Sequence, residues 1–148
     1  MNKHSQMLEI LKDTRDYYAV DPDNRRSIDK DGSCQYTWGK THCAVGRYLK
    51  PEYQREDWSS NNDSVIELCE DSAEGLDIDW ALRDDVCGLD ADFWRDLQDF
   101  HDSRHNWIFK DTFFPPDTEN EPPVGLSDTG KGHYVGMQDK IAEGRYDG

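Results

Sequence analysis

The stretch "DADFWRDLQDFHDSRHNW", Asp90–Trp107, constrains the fold of this chain more than any other. Phe93, Leu97, Phe100 and Arg104 recur at helical spacing, with Trp94 and His101 beside them. A helix carrying such an apolar face is stable in water only when that face is covered by other elements. Asp90 is placed to cap it, and Asp92 sits at its positive end. The spacing predicts a helix over Asp90–His105 lying against the core.

The other elements must supply that cover. Ser5 is a candidate cap for a first helix whose buried stripe is Met7, Leu8, Leu11, Thr14 and Tyr18. "AVDPDNRRS" breaks it, because Pro22 and the Asp/Asn cluster favour turns. "CQYTWGKTH" reads as two short strands around Gly39, and "CAVGRYL" as a short helix ended by Pro51. Two further short helices are expected near Ser64–Ala73 and Ile78–Val86, stopped by Gly75 and Gly88. "FFPPDTENEPPVG" reads as a proline-rich linker, and a last helix is expected through Tyr134–Glu143. The expected fold is mainly α with a small β-hairpin (α+β), with an acidic helical middle third. The compact domain spans residues 1–110, the linker or arm 111–126 and a C-terminal helical arm 127–148. Leu8, Leu11, Tyr18, Trp38, Val45, Leu49, Phe93, Leu97 and Phe100 form the expected core.

Charge narrows the function. The net charge is −15, and between Glu56 and Asp102 sixteen acidic residues stand against only Arg83 and Arg95. That field disfavours direct binding to nucleic acid or to an anionic membrane, and it favours a protein partner with a basic surface. Asp63, Glu67, Glu70, Glu74, Asp84, Asp92, Asp96 and Asp99 are the candidate binding surface. Mean hydropathy is −1.02, yet 5 Trp, 7 Tyr and 5 Phe argue against general disorder. No apolar run reaches membrane-spanning length, and the N-terminus lacks a signal-peptide pattern. A soluble cytoplasmic protein with reduced cysteines is expected.

"GSCQYTWGKTHCAVGRYL", Gly32–Leu49, holds the candidate chemistry. "GKT" is not a phosphate loop, because Cys34 stands where the first glycine of GxxxxGKT belongs. "DPDNRRSIDKDG" fails as a calcium loop, with Arg25 at a ligand position and Arg26 in place of the turn glycine. Cys34 and Cys43 with His101 and His105, four apart on one predicted helix, would satisfy tetrahedral zinc. The eight residues between the cysteines exceed a tight zinc knuckle. Cys43 at a helix start, with His101 as its base, is the weak candidate for thiol-dependent hydrolysis. Burial of the cysteines as small hydrophobes is the simpler expectation, so no cofactor is expected, with zinc as the alternative.

"CQYTWGKTHCAVGRYL", "DFWRDLQDFHDSRHNW" and "GLSDTGKG" together resemble short proteins encoded by phages and prophages, for which no activity is described. The resemblance implies a viral origin and action in the host cytoplasm, and it transfers no catalytic or ligand role to any residue. The expected function is an acidic protein-binding accessory factor: a phage-encoded inhibitor or nucleic-acid mimic acting on a basic protein surface. The alternative is a small structural zinc-binding protein, or a thiol hydrolase using Cys43 and His101.

Overall fold

A computed structural model describes residues 2–28, 33–72, 75, 77–109 and 125–147. Its elements run α1 (Lys3–Val20), α2 (Pro22–Arg25), β1 (Thr37–Trp38), β2 (Thr41–His42), α3 (Val65–Glu70), α4 (Ala91–Asp102), β3 (Trp107–Ile108), β4 (Gly125–Leu126) and α5 (Asp128–Ala142). The fold is mainly α-helical, with two small antiparallel sheets, β1–β2 and β3–β4.

α4 is the central helix. Asp90 caps it by accepting from the Asp92 N–H at 2.7 Å. Phe93, Trp94, Leu97 and Phe100 are fully buried. α4 ends at Asp102, short of His105, because its last carbonyls find partners elsewhere. Arg26 donates to the carbonyls of His101 (3.0 Å) and Asp102 (2.8 Å), and the Trp107 indole donates to that of His101 at 3.1 Å. Side chains thus satisfy the exposed end of the helix, and a cation sits at its negative pole.

α1 begins at Lys3, capped by Asn2 rather than by Ser5. It buries Met7, Ile10, Leu11, Thr14 and Tyr18. Leu8 is 40% exposed, since it lies about 100° around the helix from Met7. Trp38, also expected in the core, is 38% exposed. Side chains alternate along a strand, and in β1 the inward position is taken by Thr37. The other seven expected core residues have no exposed surface.

α3 is a single short helix with a complete capping box: Ser64 accepts from the Glu67 N–H, and Glu67 accepts from the Ser64 N–H. The expected helix over Ile78–Val86 is instead two 3-10 turns, Asp79–Ala81 and Asp84–Val86. Between them, the Lys50 N–H donates to Ala81 and the Arg83 N–H to Tyr48, and this bridge holds Leu82 extended against Leu49. Tertiary pairing overrides the local helical pattern there.

The segment expected as a separate C-terminal arm carries α5, which packs on α1 and α4. Its Tyr134, Met137 and Ile141 share the one hydrophobic core. α5 starts earlier than expected, capped by Ser127, and Gly130 permits this: a Cβ there would lie 2.1 Å from the Asn106 carbonyl oxygen. Of the proline-rich stretch, residues 111–124 lie outside the described residues.

Candidate metal centre

The end of α4 and the segment ahead of β1 meet at one cluster. Cys34 pairs with Ile28 in an isolated antiparallel bridge, and the Gln35 N–H donates to the Ser27 carbonyl at 3.0 Å. This places the Cys34 side chain beside the last turn of α4. The Cys34 thiol, a ring nitrogen of His101 and a carboxylate oxygen of Asp102 all lie within 4.8 Å of one another. His101 is fully buried, while Cys34 and Asp102 are half-buried.

Each group is held in place. His101 Nδ1 lies 2.7 Å from Asp102 Oδ1, and the Ser27 N–H donates to Nε2 at 3.2 Å. Nε2 therefore acts as acceptor, and the ring proton sits on Nδ1, shared with Asp102. The Tyr18 ring meets His101 edge-on at 4.7 Å. Gln98 donates to Asp102 Oδ1 at 2.9 Å and accepts from the Val45 N–H at 3.1 Å. It thereby ties the carboxylate to the turn that follows β2.

Burial pushes the His101 pKa down, against the opposing pull of the Asp102 hydrogen bond and charge. At neutral pH the ring is a neutral imidazole, the form that ligates metals. Burial also lowers the Arg26 pKa, and the nearby Cys34 and Asp102 oppose that shift. A thiol, an imidazole and a carboxylate are the donor types that zinc takes. Ligand bonds of about 2.0–2.3 Å put the donors of one ion some 3–4 Å apart, so the cluster needs only a small contraction.

This corrects the expectation of no cofactor: a donor set suited to a metal ion is present. It also corrects the set expected for zinc. Cys43 is fully buried in the core, where its sulfur accepts from the Gly46 N–H at 3.2 Å. His105 is exposed on the 3-10 turn Arg104–Asn106, after α4 has ended. Neither belongs to the cluster. The catalytic candidate Cys43 fails for the same reason, since burial pushes its thiol pKa well up and closes it to substrate.

Asp102 was missed as a ligand because neighbours on a helix do not share a face. The sequence signal was its adjacency to His101, and the contact itself is the 2.7 Å approach of Nδ1 and Oδ1 in the last turn of α4. Arg26, Ser27 and Gln98 carry no sequence mark of their roles.

A pocket of about 380 Å³ opens beside the cluster, with Cys34, Gln98 and Asp102 on its wall. The candidate acidic surface divides around it. Asp63, Glu67 and Asp99 line the pocket, and Glu70, Asp84 and Asp92 are exposed elsewhere. Asp96 is turned inward, accepting from Tyr146 at 2.6 Å and Lys140 at 3.0 Å. Glu74 lies outside the described residues.

No family model, curated protein or solved structure matches the chain. No helix among the described residues is long and apolar enough to cross a membrane.

Proposed function

We propose that this chain is a small metal-binding protein that holds a zinc-type divalent ion through Cys34, His101 and Asp102. One observation carries the reading: three ligand atoms of the right chemistry converge within 4.8 Å, drawn from segments far apart in the sequence. The ion would tie the Ile28–Cys34 bridge to the C-terminal turn of α4. Three protein donors beside a pocket leave the fourth position of a tetrahedral ion to a water or small ligand. Binding displaces the thiol proton, so affinity rises with pH. Ligation through Nδ1 moves the single ring proton to Nε2, at the cost of the Ser27 hydrogen bond. A cytoplasmic setting, where thiols stay reduced, belongs to the same reading.

The test is titration of chelator-treated protein with Zn²⁺ and Co²⁺, followed by native mass spectrometry and visible absorption. One ion per chain is expected, with a thiolate-to-cobalt band that disappears in Cys34→Ser and His101→Gln. Cys43→Ser and His105→Ala should keep it. Absence of stoichiometric binding, or unchanged binding in Cys34→Ser, would overturn the assignment.

A second reading concerns the acidic surface. Glu67, Glu70, Asp84, Asp92 and Asp99 are all exposed, which supports association with a basic protein surface by an inhibitor or nucleic-acid mimic. Competition against duplex DNA for a basic DNA-binding domain tests it. Displacement that weakens steeply with salt is expected, and displacement indifferent to salt contradicts it.

A further inference from the structure

An ion held by Nδ1 of His101 leaves the single ring proton on Nε2, and the surroundings of that second nitrogen are unprepared for it. The His101 side chain has no exposed surface, so bulk water does not reach an Nε2–H. Nε2 lies 3.2 Å from the Ser27 backbone nitrogen, a donor that a protonated Nε2 would meet donor to donor. A metal-bound imidazole nearly always donates its second N–H to an oxygen, and that oxygen fixes the ring. The metal-bound site therefore needs an acceptor that the metal-free site does not use.

Most groups around His101 have none to offer. The Arg26 guanidinium and the Trp107 indole carry only donors, and both are engaged by backbone carbonyls of this turn. The Tyr18 hydroxyl is engaged by the His42 carbonyl, and the Ser27 carbonyl by the Gln35 N–H at 3.0 Å. Asp102 stands on the Nδ1 side of the ring. The Ser27 hydroxyl is different. Ser27 is fully buried, and its Oγ has no hydrogen-bond partner among the described residues. It belongs to the residue whose amide nitrogen already touches Nε2. Its place is set by one rotation, about Cα–Cβ, which swings Oγ between staggered positions relative to that nitrogen. A buried hydroxyl without a partner is disfavoured, and this one gains a donor in only one tautomer of the ring.

We propose that Ser27 is a positioning residue of the metal centre: its hydroxyl turns to accept the Nε2–H of His101 once an ion occupies Nδ1. That bond replaces the one the Ser27 N–H makes to Nε2 in the metal-free protein. The inference rests on the metal reading. The ring stays neutral throughout, and its one proton only changes place. One residue thereby serves both tautomers, with its backbone N–H as donor to the metal-free ring and its hydroxyl as acceptor for the metal-bound ring. The hydroxyl then supports metal affinity while contributing no hydrogen bond to the metal-free fold.

The test is titration of the full, chelator-treated chain with Zn²⁺ against a competing chromophoric chelator, in the wild type, Ser27→Ala and Ser27→Thr. Ser27→Ala keeps the backbone N–H and removes only the hydroxyl. It should bind Zn²⁺ at least about tenfold more weakly, the usual effect of losing such a partner. Its metal-free urea midpoint should not fall, because the lost hydroxyl had no partner. Ser27→Thr, which keeps the hydroxyl, should recover most of the lost affinity. Nitrogen-15 NMR of the histidine rings supplies a readout in the wild type itself. The His101 proton should sit on Nδ1 without metal and on Nε2 with Zn²⁺, at the low-field position of a hydrogen-bonded N–H, and move upfield in Ser27→Ala. Equal Zn²⁺ affinity in the wild type and Ser27→Ala would overturn the proposal and leave the metal site standing. So would a ring proton that stays on Nδ1 in the Zn²⁺ form, or an Nε2–H at the position of an unbonded group. Absence of stoichiometric Zn²⁺ binding by the wild type overturns the metal reading, and this inference falls with it.

Discussion

His101 and Asp102, consecutive residues at the end of α4, face each other side chain to side chain, with Nδ1 and Oδ1 2.7 Å apart. The contact exists because Arg26 and Trp107 take the backbone carbonyls of this turn and Gln98 holds the carboxylate. It fixes the imidazole tautomer from one side while Ser27 fixes it from the other.

The metal-free protein should lose stability on acidification through about pH 6.5. His42, His101 and His133 all have pKa values lowered by burial. The unfolded chain, with histidines near about 6.5, then binds more protons than the native state as the pH falls, so stability falls with pH across that window. Above it all three rings are neutral in both states and contribute no slope. Urea unfolding between pH 8 and pH 5 checks this. His101→Gln should flatten the slope, and an unaltered slope would contradict the assigned burial.

Leu97 and Leu8 should separate cleanly. Leu97 has no exposed surface, and Leu8 is 40% exposed. Leu97→Ala should cost about 2–5 kcal/mol through lost transfer energy and a cavity. Leu8→Ala should cost less than about 1 kcal/mol. Equal midpoint shifts in chemical denaturation would reject the orientation of α1 or α4.

Gly46→Ala should destabilise by more than its size suggests. A Cβ at Gly46 would lie 2.1 Å from the Tyr36 carbonyl oxygen, which itself accepts from the Cys43 N–H. Backbone must move to admit the methyl group, and overpacking of this kind costs about 1–3 kcal/mol. A thermal scan compared with Gly132→Ala, where nothing crowds the added carbon, isolates the steric term.

Asp96→Ala should destabilise the docking of the C-terminus. Its carboxylate accepts from both Tyr146 and Lys140, and Tyr146 is 4% exposed with its ring against Phe93. Losing the acceptor leaves a buried hydroxyl unsatisfied, at about 1–3 kcal/mol. Faster amide exchange in α5 with α4 unchanged is the expected signature.

The thiols should sort by burial. Cys43 is fully buried, and its pKa is raised by that burial. A thiol reagent should modify Cys34 and Cys87, both half-buried, before Cys43, which reacts only on unfolding. Early labelling of Cys43, followed by mass spectrometry of fragments, would contradict its place in the core.

The amino-acid sequence by itself determined what depends on near neighbours. The 3.6-residue spacing of Phe93, Leu97 and Phe100 placed α4, Gly39 marked the hairpin turn with its positive φ, and Asp90 and Ser64 capped their helices. These signals act within one helical turn or one tight turn, so they are legible without the fold. Only the tertiary structure decided which half of each residue pair matters. Cys34 and Cys43 look equivalent in the sequence, yet the bridge to Ile28 carries one to the end of α4 and the approach of Gly46 to Tyr36 seals the other in the core. His101 and His105 look equivalent on a long helix, yet Arg26, some 75 residues earlier, helps end that helix between them. Leu82 follows the same rule, drawn into an extended bridge with Leu49 across a helical pattern. A metal cluster needs atoms brought within a few ångströms from distant segments, and no local propensity encodes that distance.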